Sequence, residues 1–434
     1  MTKDIFVMQN FKNKLIRFSN KSEITKKNCV LCGSTNLKKA IDFGKTPLAN
    51  SYPNKIDKKE KYFNLSCVLC SNCGHLQLKE LINPKILFEN YLYVSGTSKV
   101  LSEHFRKYSE KVIRKFKLNY DSNILDIACN DGTFLQNFTK KKFKNVIGVE
   151  PAKNLKKINI QKKIDISTNF FTLNFSKKLK RKYGEFNLIT ANNVFAHSPN
   201  LFDFSQGVKN LLSKDGVFVI EVSYLNTVIK KKTFDTIYHE HMSYHSLKPL
   251  VNFFKKQKMQ VFDFELIEAQ GGSIRLYVSK LNSYVINKKK INYQIKKETI
   301  NGLYSVKRYK KFYKEIIKTK EKLKNIIQAQ KKKNLKIIGY GAPAKLTTLS
   351  HFFGLSRQDI NIVIDDNKLK VNRFTPGKKF LIKKFNYLIQ NKKNYDVIII
   401  LAWNFYYSIK KKCKRIKNNF LFIKPFPRPI LENK

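Results

Sequence analysis

Two short cysteine pairs restrict this chain more than any other feature. Cys29-Val-Leu-Cys32-Gly33 and Cys70-Ser-Asn-Cys73-Gly74 repeat one pattern. A glycine after the second cysteine lets the backbone curl so that two thiolates point at one ion. Two such knuckles supply the four ligands of a closed tetrahedral zinc site. The fold must then bring the pairs together across 37 intervening residues, a longer gap than the ~15–20 of compact zinc sites. Four cysteines leave no open position, so zinc at Cys29, Cys32, Cys70 and Cys73 is expected to be structural. Buried free thiols are the plain alternative. A redox pair is disfavoured, because neither knuckle opens a helix after a strand. Cys67 pairs with Cys70 at the same spacing but lacks the glycine, so it reads as a spare or packing thiol.

With 434 residues, 42% hydrophobic and 13% aromatic, the chain can bury a sizeable core in about three domains. Dominant disorder, collagen and a disulfide scaffold are excluded by that content, 16 Gly and 7 Cys. The longest apolar run, Val397 to Trp403, is far short of the ~20 residues of a membrane helix. No signal peptide is legible in Met1 to Lys14, so a cytoplasmic protein with reduced thiols, away from membranes, is expected. The formal charge of +55 comes from 76 Lys and only 10 Arg. A polyanion surface is one reading of that excess. A composition bias is the other, since Lys, Asn, Ile, Phe and Tyr share A/T-rich codons and nucleic-acid surfaces recruit Arg.

Three segments separate: 1–90 holds five cysteines, 91–290 alternates strand-like and helical runs, and 291–434 begins with a helical stretch. In that stretch Ile316, Ile317, Leu323, Ile326 and Ile327 fall near helical spacing, predicting one long helix or two over 291–333. A second alternating region follows from 334.

In the central segment, Asn123 to Ala128 reads as a strand running into Cys129-Asn130-Asp131-Gly132, with a helix from about Thr133. Val146 to Glu150 reads as a second strand ending in an acid. This is Rossmann-like logic: backbone near the ligand at the turn, and an acid for two ribose hydroxyls. The fingerprint G-x-G-x-x-G is absent. An acidic turn from Asp126 to Asp131 suits a phosphate-free cation such as S-adenosylmethionine; an ordinary α/β turn is the alternative. Further strands at 185–192, 217–222 and 274–278 place Asn192, Asn193, His197 and Glu221 near their carboxyl ends, where ligands sit. Tyr238-His239-Glu240-His241 and His245 gather three of the seven histidines. This cluster is open to three readings: a metal site, a general base with an orienting carboxylate, or a satisfied structural cluster. If extended, it would turn His239 and His241 to the face opposite Tyr238 and Glu240.

These segments, with Thr46-Pro-Leu-Ala-Asn-Ser51, Tyr91-Leu-Tyr93-Val-Ser-Gly-Thr97, Asn192-Asn-Val-Phe-Ala-His197, Gly271-Gly-Ser-Ile-Arg275, Tyr340-Gly-Ala-Pro-Ala-Lys345 and Arg373-Phe-Thr-Pro-Gly377, run in order along nearly the whole chain. Together they resemble the three-domain S-adenosylmethionine-dependent sugar C-methyltransferases, which act on nucleotide-linked 4-keto-6-deoxyhexoses. The resemblance implies an α/β protein. A zinc-binding domain would occupy 1–90, a class I Rossmann-like methyltransferase domain 91–290, and a helical linker with a C-terminal Rossmann-like nucleotide-sugar domain 291–434. It implies His241 as general base with Glu240 and Tyr238 in support, and His197 with Tyr91 or Tyr93 in the sugar pocket. Asp126, Asn130, Asp131, Gly132, Glu150 and Asn192 are expected at the cofactor. Arg275, Tyr340, Lys345 and Arg373 are expected at the nucleotide sugar, with methylation at C3.

The second alternating region fits that role. Leu335 to Gly339 and Ile360 to Asp365 read as strands flanking the turn Gly339 to Ala344, whose N–H groups could meet a diphosphate with Lys345 adding charge. A cofactor-free remnant is the alternative. The chain departs from relatives at Ala128, where many carry Gly, and at Leu346-Thr347, where Gly-Asn is common. An RNA-modifying methyltransferase would also explain knuckles and charge, but it needs aromatic or Arg stacking surfaces, and Arg is scarce. No specific nucleic-acid partner is expected.

Overall fold

Apolar runs between turn residues become strands, and the computed structural model, which describes residues 16, 18–56 and 59–432, orders them into four sheets. The segment Met1 to Lys14, where no signal peptide is expected, lies outside the described residues. The first strands are β1 (Glu23–Thr25), β2 (Leu37–Thr46), β3 (Phe63–Cys70), β4 (Leu76–Leu78) and β5 (Glu80–Ile82). β1 pairs antiparallel with β5, and β3 antiparallel with β4. The two knuckles close identically: Gly33 N–H donates to Cys29 O and Gly74 N–H to Cys70 O, each at 2.9 Å. Both glycines sit at positive φ, 75° and 79°, where a side chain would be strained.

Seven strands form the central sheet: β6 (Ile124–Ile127), β7 (Val146–Val149), β8 (Asp165–Ser167), β9 (Phe186–Asn192), β10 (Leu212–Ser223), β12 (Met259–Ile267) and β13 (Ser273–Lys280). Their order is β12-β13-β10-β9-β6-β7-β8. The five from β10 to β8 are parallel, β13 runs against them, and β12, antiparallel to β13, runs with them again. A short β11 (Ser243–Tyr244) pairs instead with β4. Successive residues of β6 and β7 enter opposite cores. Leu125, Ile127, Ile147 and Val149 pack in one cluster, Ile124 and Val146 in the other. Burial on both faces explains why these strands read as unbroken apolar runs. Chain order reverses at β6, between β7 and β9, which is where doubly wound sheets hold ligands.

The helix expected from Thr133 starts later, at Gln136. Asp131 has captured the Thr133 hydroxyl at 2.8 Å and its N–H at 3.3 Å, holding those residues in a turn. Over 291–333 there are two helices, Lys288–Ile300 and Val306–Lys332. The break falls at Gly302, whose φ is 73°. Ile316, Leu323 and Ile327 of the second helix are fully buried, as their spacing requires.

The C-terminal strands are β14 (Ile337–Tyr340), β15 (Ile362–Ile364), β16 (Leu381–Lys383), β17 (Val397–Ile400), β18 (Leu421–Lys424) and β19 (Ile430–Glu432). They lie in the order β16-β15-β14-β17-β18-β19, with only β19 antiparallel. Here the order reverses at β14. The chain forms two units. One takes the described residues of Met1–Lys39 with Cys67–Thr227 and Met242–Val306, and holds the knuckles and the central sheet. The other takes Ala40–Ser66, Val228–His241 and Lys307–Lys434, and holds the histidine turn and the C-terminal sheet. Among the described residues no helix is long and apolar enough to cross a membrane.

Candidate active site

β6 and β7 deliver two buried acids to the switch point of the first unit. Asp126, 2% exposed, accepts from the Thr190 hydroxyl at 2.6 Å and from Asn192 Nδ2 at 3.2 Å. Burial pushes its carboxyl up to about 8. Glu150 follows β7 and accepts the N–H groups of Asn130 at 2.8 Å and Ala152 at 2.9 Å. Burial pushes it up to about 7. The intervening turn is left-handed at Ala128, Asn130 and Gly132. Only glycine fits at 132, since a Cβ there would lie 2.3 Å from Ile164 Cδ1. Ala128, at φ 53°, holds a glycine-like conformation at a cost of about 1–2 kcal/mol. Asn192 Oδ1 is buried with no hydrogen-bond partner. Two desolvated acids and a bare amide oxygen around a tight turn fit a ligand with hydroxyls and positive charge, as S-adenosylmethionine has.

The side chains of Asn130 and Asp131 do something else. Asn130 Oδ1 accepts the Ser95 N–H at 2.9 Å, and its Nδ2 donates to Tyr93 O at 3.0 Å. Asp131 Oδ2 accepts the Gly96 N–H at 3.1 Å and pairs with Lys162 Nζ at 3.0 Å. Both hold the segment carrying Tyr91 and Tyr93, whose rings stand 6.4 Å apart. Phe88, just before it, stacks on His197 at 5.4 Å and 7°. Burial lowers His197 to about 4, so its imidazole is neutral at pH 7.

Arg275 lies on β13 opposite Glu221 of β10. It donates to Glu221 Oε2 from Nε at 3.0 Å and Nη2 at 2.7 Å, and its guanidinium lies 3.7 Å over the Tyr108 ring. His104 approaches the other Glu221 oxygen at 2.7 Å. Arg275, expected at the substrate, is therefore committed to a buried ion pair that ties the two strands.

In the second unit the histidine segment is a turn, not an extended strand: His241 N–H donates to Tyr238 O at 2.9 Å. The turn puts Tyr238 and His241 on the same side, with rings 4.3 Å apart and Tyr238 OH 3.0 Å from His241 Nε2. His241 Nδ1 meets the carbonyl of Thr236 at 2.8 Å. A carbonyl only accepts, so Nδ1 carries the proton and Nε2 keeps its lone pair. Glu240, 1% exposed, accepts from Asn50 Nδ2 at 2.6 Å. His239 is buried against Asn64 O at 3.2 Å, which gives it a structural place.

At the β14 switch point, Gly341 N–H donates to Ile364 O at 2.6 Å and Ala342 N–H to Asp365 Oδ2 at 2.7 Å. Two of the backbone donors expected to meet a diphosphate, those of Gly341 and Ala342, are thus already used. Gly341 is required for a different reason: a Cβ there would lie 2.3 Å from Ala402 Cβ. Tyr340 OH bonds Asp366 at 3.1 Å and Lys412 Nζ at 2.9 Å. Arg373 donates to Tyr52 O at 3.1 Å. Lys345 differs. Its Nζ is buried, makes no hydrogen bond and sits 5.0 Å above the Trp403 ring. Burial lowers its titration, and nearby Asp235 opposes that. Asp235 in turn accepts from Trp403 Nε1 at 2.6 Å.

The four knuckle sulfurs of the first unit lie within 4.8 Å of one another. Cys29–Cys73 and Cys32–Cys70 are 3.6 and 3.5 Å apart. A zinc tetrahedron with Zn–S of ~2.3 Å has edges of about 3.8 Å, so this set fits the ion. Cys67 is buried outside the group.

Three family models match in chain order: a zinc binding domain over residues 29–88, a methyltransferase domain over 100–263 and a C-methyltransferase C-terminal domain over 268–427. The C-methyltransferase NovU of Streptomyces niveus is 28% identical over 404 residues, covering 92% of this chain and 96% of that one. The protein is an S-adenosylmethionine-dependent C-methyltransferase. Among solved structures, an S-adenosylmethionine-dependent methyltransferase from Clostridium acetobutylicum covers 41% of the chain and 92% of its own at 16% identity and a TM-score of 0.33. The plantazolicin methyltransferase BpumL, solved with SAH, covers 41% and 83% at 12% and 0.33. The methyltransferase fold assignment rests on strand order and the family models, not on these partial superpositions.

In this C-methyltransferase, Asp126 is bonded to Asn192 and Glu150 to Asn130, around the turn that holds Asp131 and Gly132. Tyr238, Glu240 and His241 share one turn. Sequence reasoning missed Thr236, whose backbone carbonyl fixes the histidine, and Asn154 and Lys162, which bond Tyr91 and Asp131; Asn50, which fixes the glutamate, enters it only within the run Thr46–Ser51. A backbone carbonyl leaves no mark in a sequence. The Asn and Lys carry no signal in a chain rich in both.

Proposed function

We propose that the enzyme methylates C3 of a nucleotide-linked 4-keto-6-deoxyhexose by removing the C3 proton with His241. The observation that carries this reading is the Thr236 carbonyl on His241 Nδ1, which leaves Nε2 as the basic end. A ketone at C4 makes the C3 hydrogen acidic, because the charge moves onto O4 as an enolate. His241 Nε2 takes that proton. The Tyr238 phenol, 3.0 Å from Nε2, donates its one proton to the resting base and would turn it to O4 once Nε2 engages the C3 hydrogen; one such donor contributes ~3–4 kcal/mol at the transition state. Glu240, desolvated and fixed by Asn50, stabilises the imidazolium once formed. Neutral His197 and the Tyr91/Tyr93 pair line the sugar pocket.

When bound, S-adenosylmethionine supplies the methyl group as an electrophile on a sulfonium. Glu150 would hold its ribose hydroxyls, and Asp126 with Asn192 Oδ1 would hold the cationic amino acid end. Residues 1–90 act as the zinc-stabilised domain and 91–290 as the methyl-transfer domain. Residues 291–434 hold the nucleotide, with Lys345 as the cation for the diphosphate. Tyr340 and Arg373 support that site from their bonds to Asp366 and Tyr52.

His241→Ala should bind S-adenosylhomocysteine as the parent does and lose turnover by about 10²–10⁴-fold. Turnover near the parent's would overturn the general-base role.

A further inference from the structure

The segment between Phe88 and Ser98 carries both tyrosines, yet it is no part of any sheet. Its fixed points are side chains of the two loops that follow β6 and β7, and one backbone bond, from Lys153 N–H to Glu89 O at 3.1 Å. Asn154, in the loop after β7, accepts the Tyr91 N–H at 3.1 Å and donates to the Tyr91 carbonyl at 2.9 Å. One amide thus grips both polar groups of one residue, as a neighbouring strand would. At the other end Asn130 holds Tyr93 O and Ser95 N–H, and Asp131 holds Gly96 N–H. The approach at Gly96 is so close that a Cβ would lie 2.5 Å from Asp131 Oδ2 and 2.7 Å from Thr133 Oγ1. Glu150 joins the two loops, accepting Asn130 N–H and Ala152 N–H on its two oxygens.

We propose that Asn154 is a positioning residue: it latches the tyrosine-bearing segment to the loop that ends in Glu150, so that filling the cofactor cradle stiffens the segment that meets the sugar. The inference rests on the reading of Glu150 as the ribose acceptor. Because Glu150 bridges both loops, a ligand on its carboxylate acts on both ends of the segment at once. Asn154 itself reaches only the segment's backbone, so removing it disturbs the tyrosines and leaves the acids of the cradle in place.

The amides of Tyr91, Ser95 and Gly96 all donate to side chains, so their hydrogen exchange reports the latch directly. Exchange is measured on peptides spanning 88–98, with and without S-adenosylhomocysteine, in the parent, Asn154→Ala and Gly96→Ala. In the parent, S-adenosylhomocysteine should slow exchange. Each variant should speed exchange across the whole segment by about 10-fold, the value of one or two lost hydrogen bonds. In Asn154→Ala, S-adenosylhomocysteine affinity should change less than about 3-fold, while kcat on the acceptor falls by about 10-fold or more. Unchanged exchange at Ser95 and Gly96 in Asn154→Ala would overturn the latch. A parallel fall in cofactor affinity would instead place Asn154 in the cradle, and also overturn it. If S-adenosylhomocysteine binds but leaves the parent's exchange unchanged, the coupling is refuted while the reading of the acceptor sugar stands.

Discussion

The two parallel sheets are built alike and charged differently. Each reverses its strand order at one central strand, and in each an acid after the neighbouring strand accepts an N–H from the first turn. Glu150 takes Asn130 N–H at 2.8 Å, and Asp365 takes Ala342 N–H at 2.7 Å. At the first switch point the buried groups are acceptors: Asp126, Glu150 and the bare oxygen of Asn192. At the second, the unspent group is a buried cation, Lys345. Under the proposed function, one topology serves ligands of opposite charge, and the choice lies in a few side chains beyond the carboxyl ends of the strands. Turn geometry does not make it, since both turns spend their N–H groups within the protein.

A double dissociation breaks or supports this comparison with the largest effects. Glu150→Ala should weaken S-adenosylmethionine binding by about 10–100-fold, because it removes a charged acceptor. Lys345→Met should weaken the nucleotide sugar by about 10-fold. Each should leave the other ligand's affinity unchanged by calorimetry. Equal losses of both ligands in either variant would contradict the division of charge.

A smaller effect separates the sheets by pH. Burial raises Asp126 to about 8 and Glu150 to about 7 in the folded chain, above the ~4 of an unfolded carboxyl. Their contribution to the stability of the unliganded protein is complete below about pH 4 and is lost as pH rises through 7 and 8. A cation in the cradle favours the ionised acids, so cofactor affinity should climb between about pH 6 and 8, by up to about tenfold per pH unit for each proton released. Glu150→Gln should flatten the lower part of that rise. In the second unit burial holds His351, on the helix Lys345–Phe353, down at about 4 and raises Asp235 to about 6, so the step there falls at the lower edge of that window. A flat affinity profile in the parent would show that the acids are already ionised before the cofactor arrives.

Much of this was legible in the chain. The knuckles are short-range patterns, and the strands around Asp126 and Glu150 are buried on both faces, so composition alone marks them. Their convergence at β6 follows from topology rules. The rest depends on contacts that sequence spacing does not encode. Asn154 is one of many asparagines, and only the fold places its amide against Tyr91. Tyr238 and His241 share a side because the chain turns there, which an alternating pattern cannot reveal. Arg275 and the N–H groups of Gly341 and Ala342 look free in sequence, but Glu221, Ile364 and Asp365 occupy them in the structure.

In the proposed mechanism His241 makes a carbanion beside a ketone before any methyl group moves. The direct measurement is mass spectrometry of nucleotide-linked 4-keto-6-deoxyhexoses incubated with the enzyme in heavy water, with and without S-adenosylmethionine. The account predicts one deuterium at the carbon beside the ketone without the cofactor, a gain of one methyl group with it, and neither in His241→Ala. Methylation of no sugar in the panel and no exchange, by an enzyme that still binds S-adenosylmethionine, would contradict it.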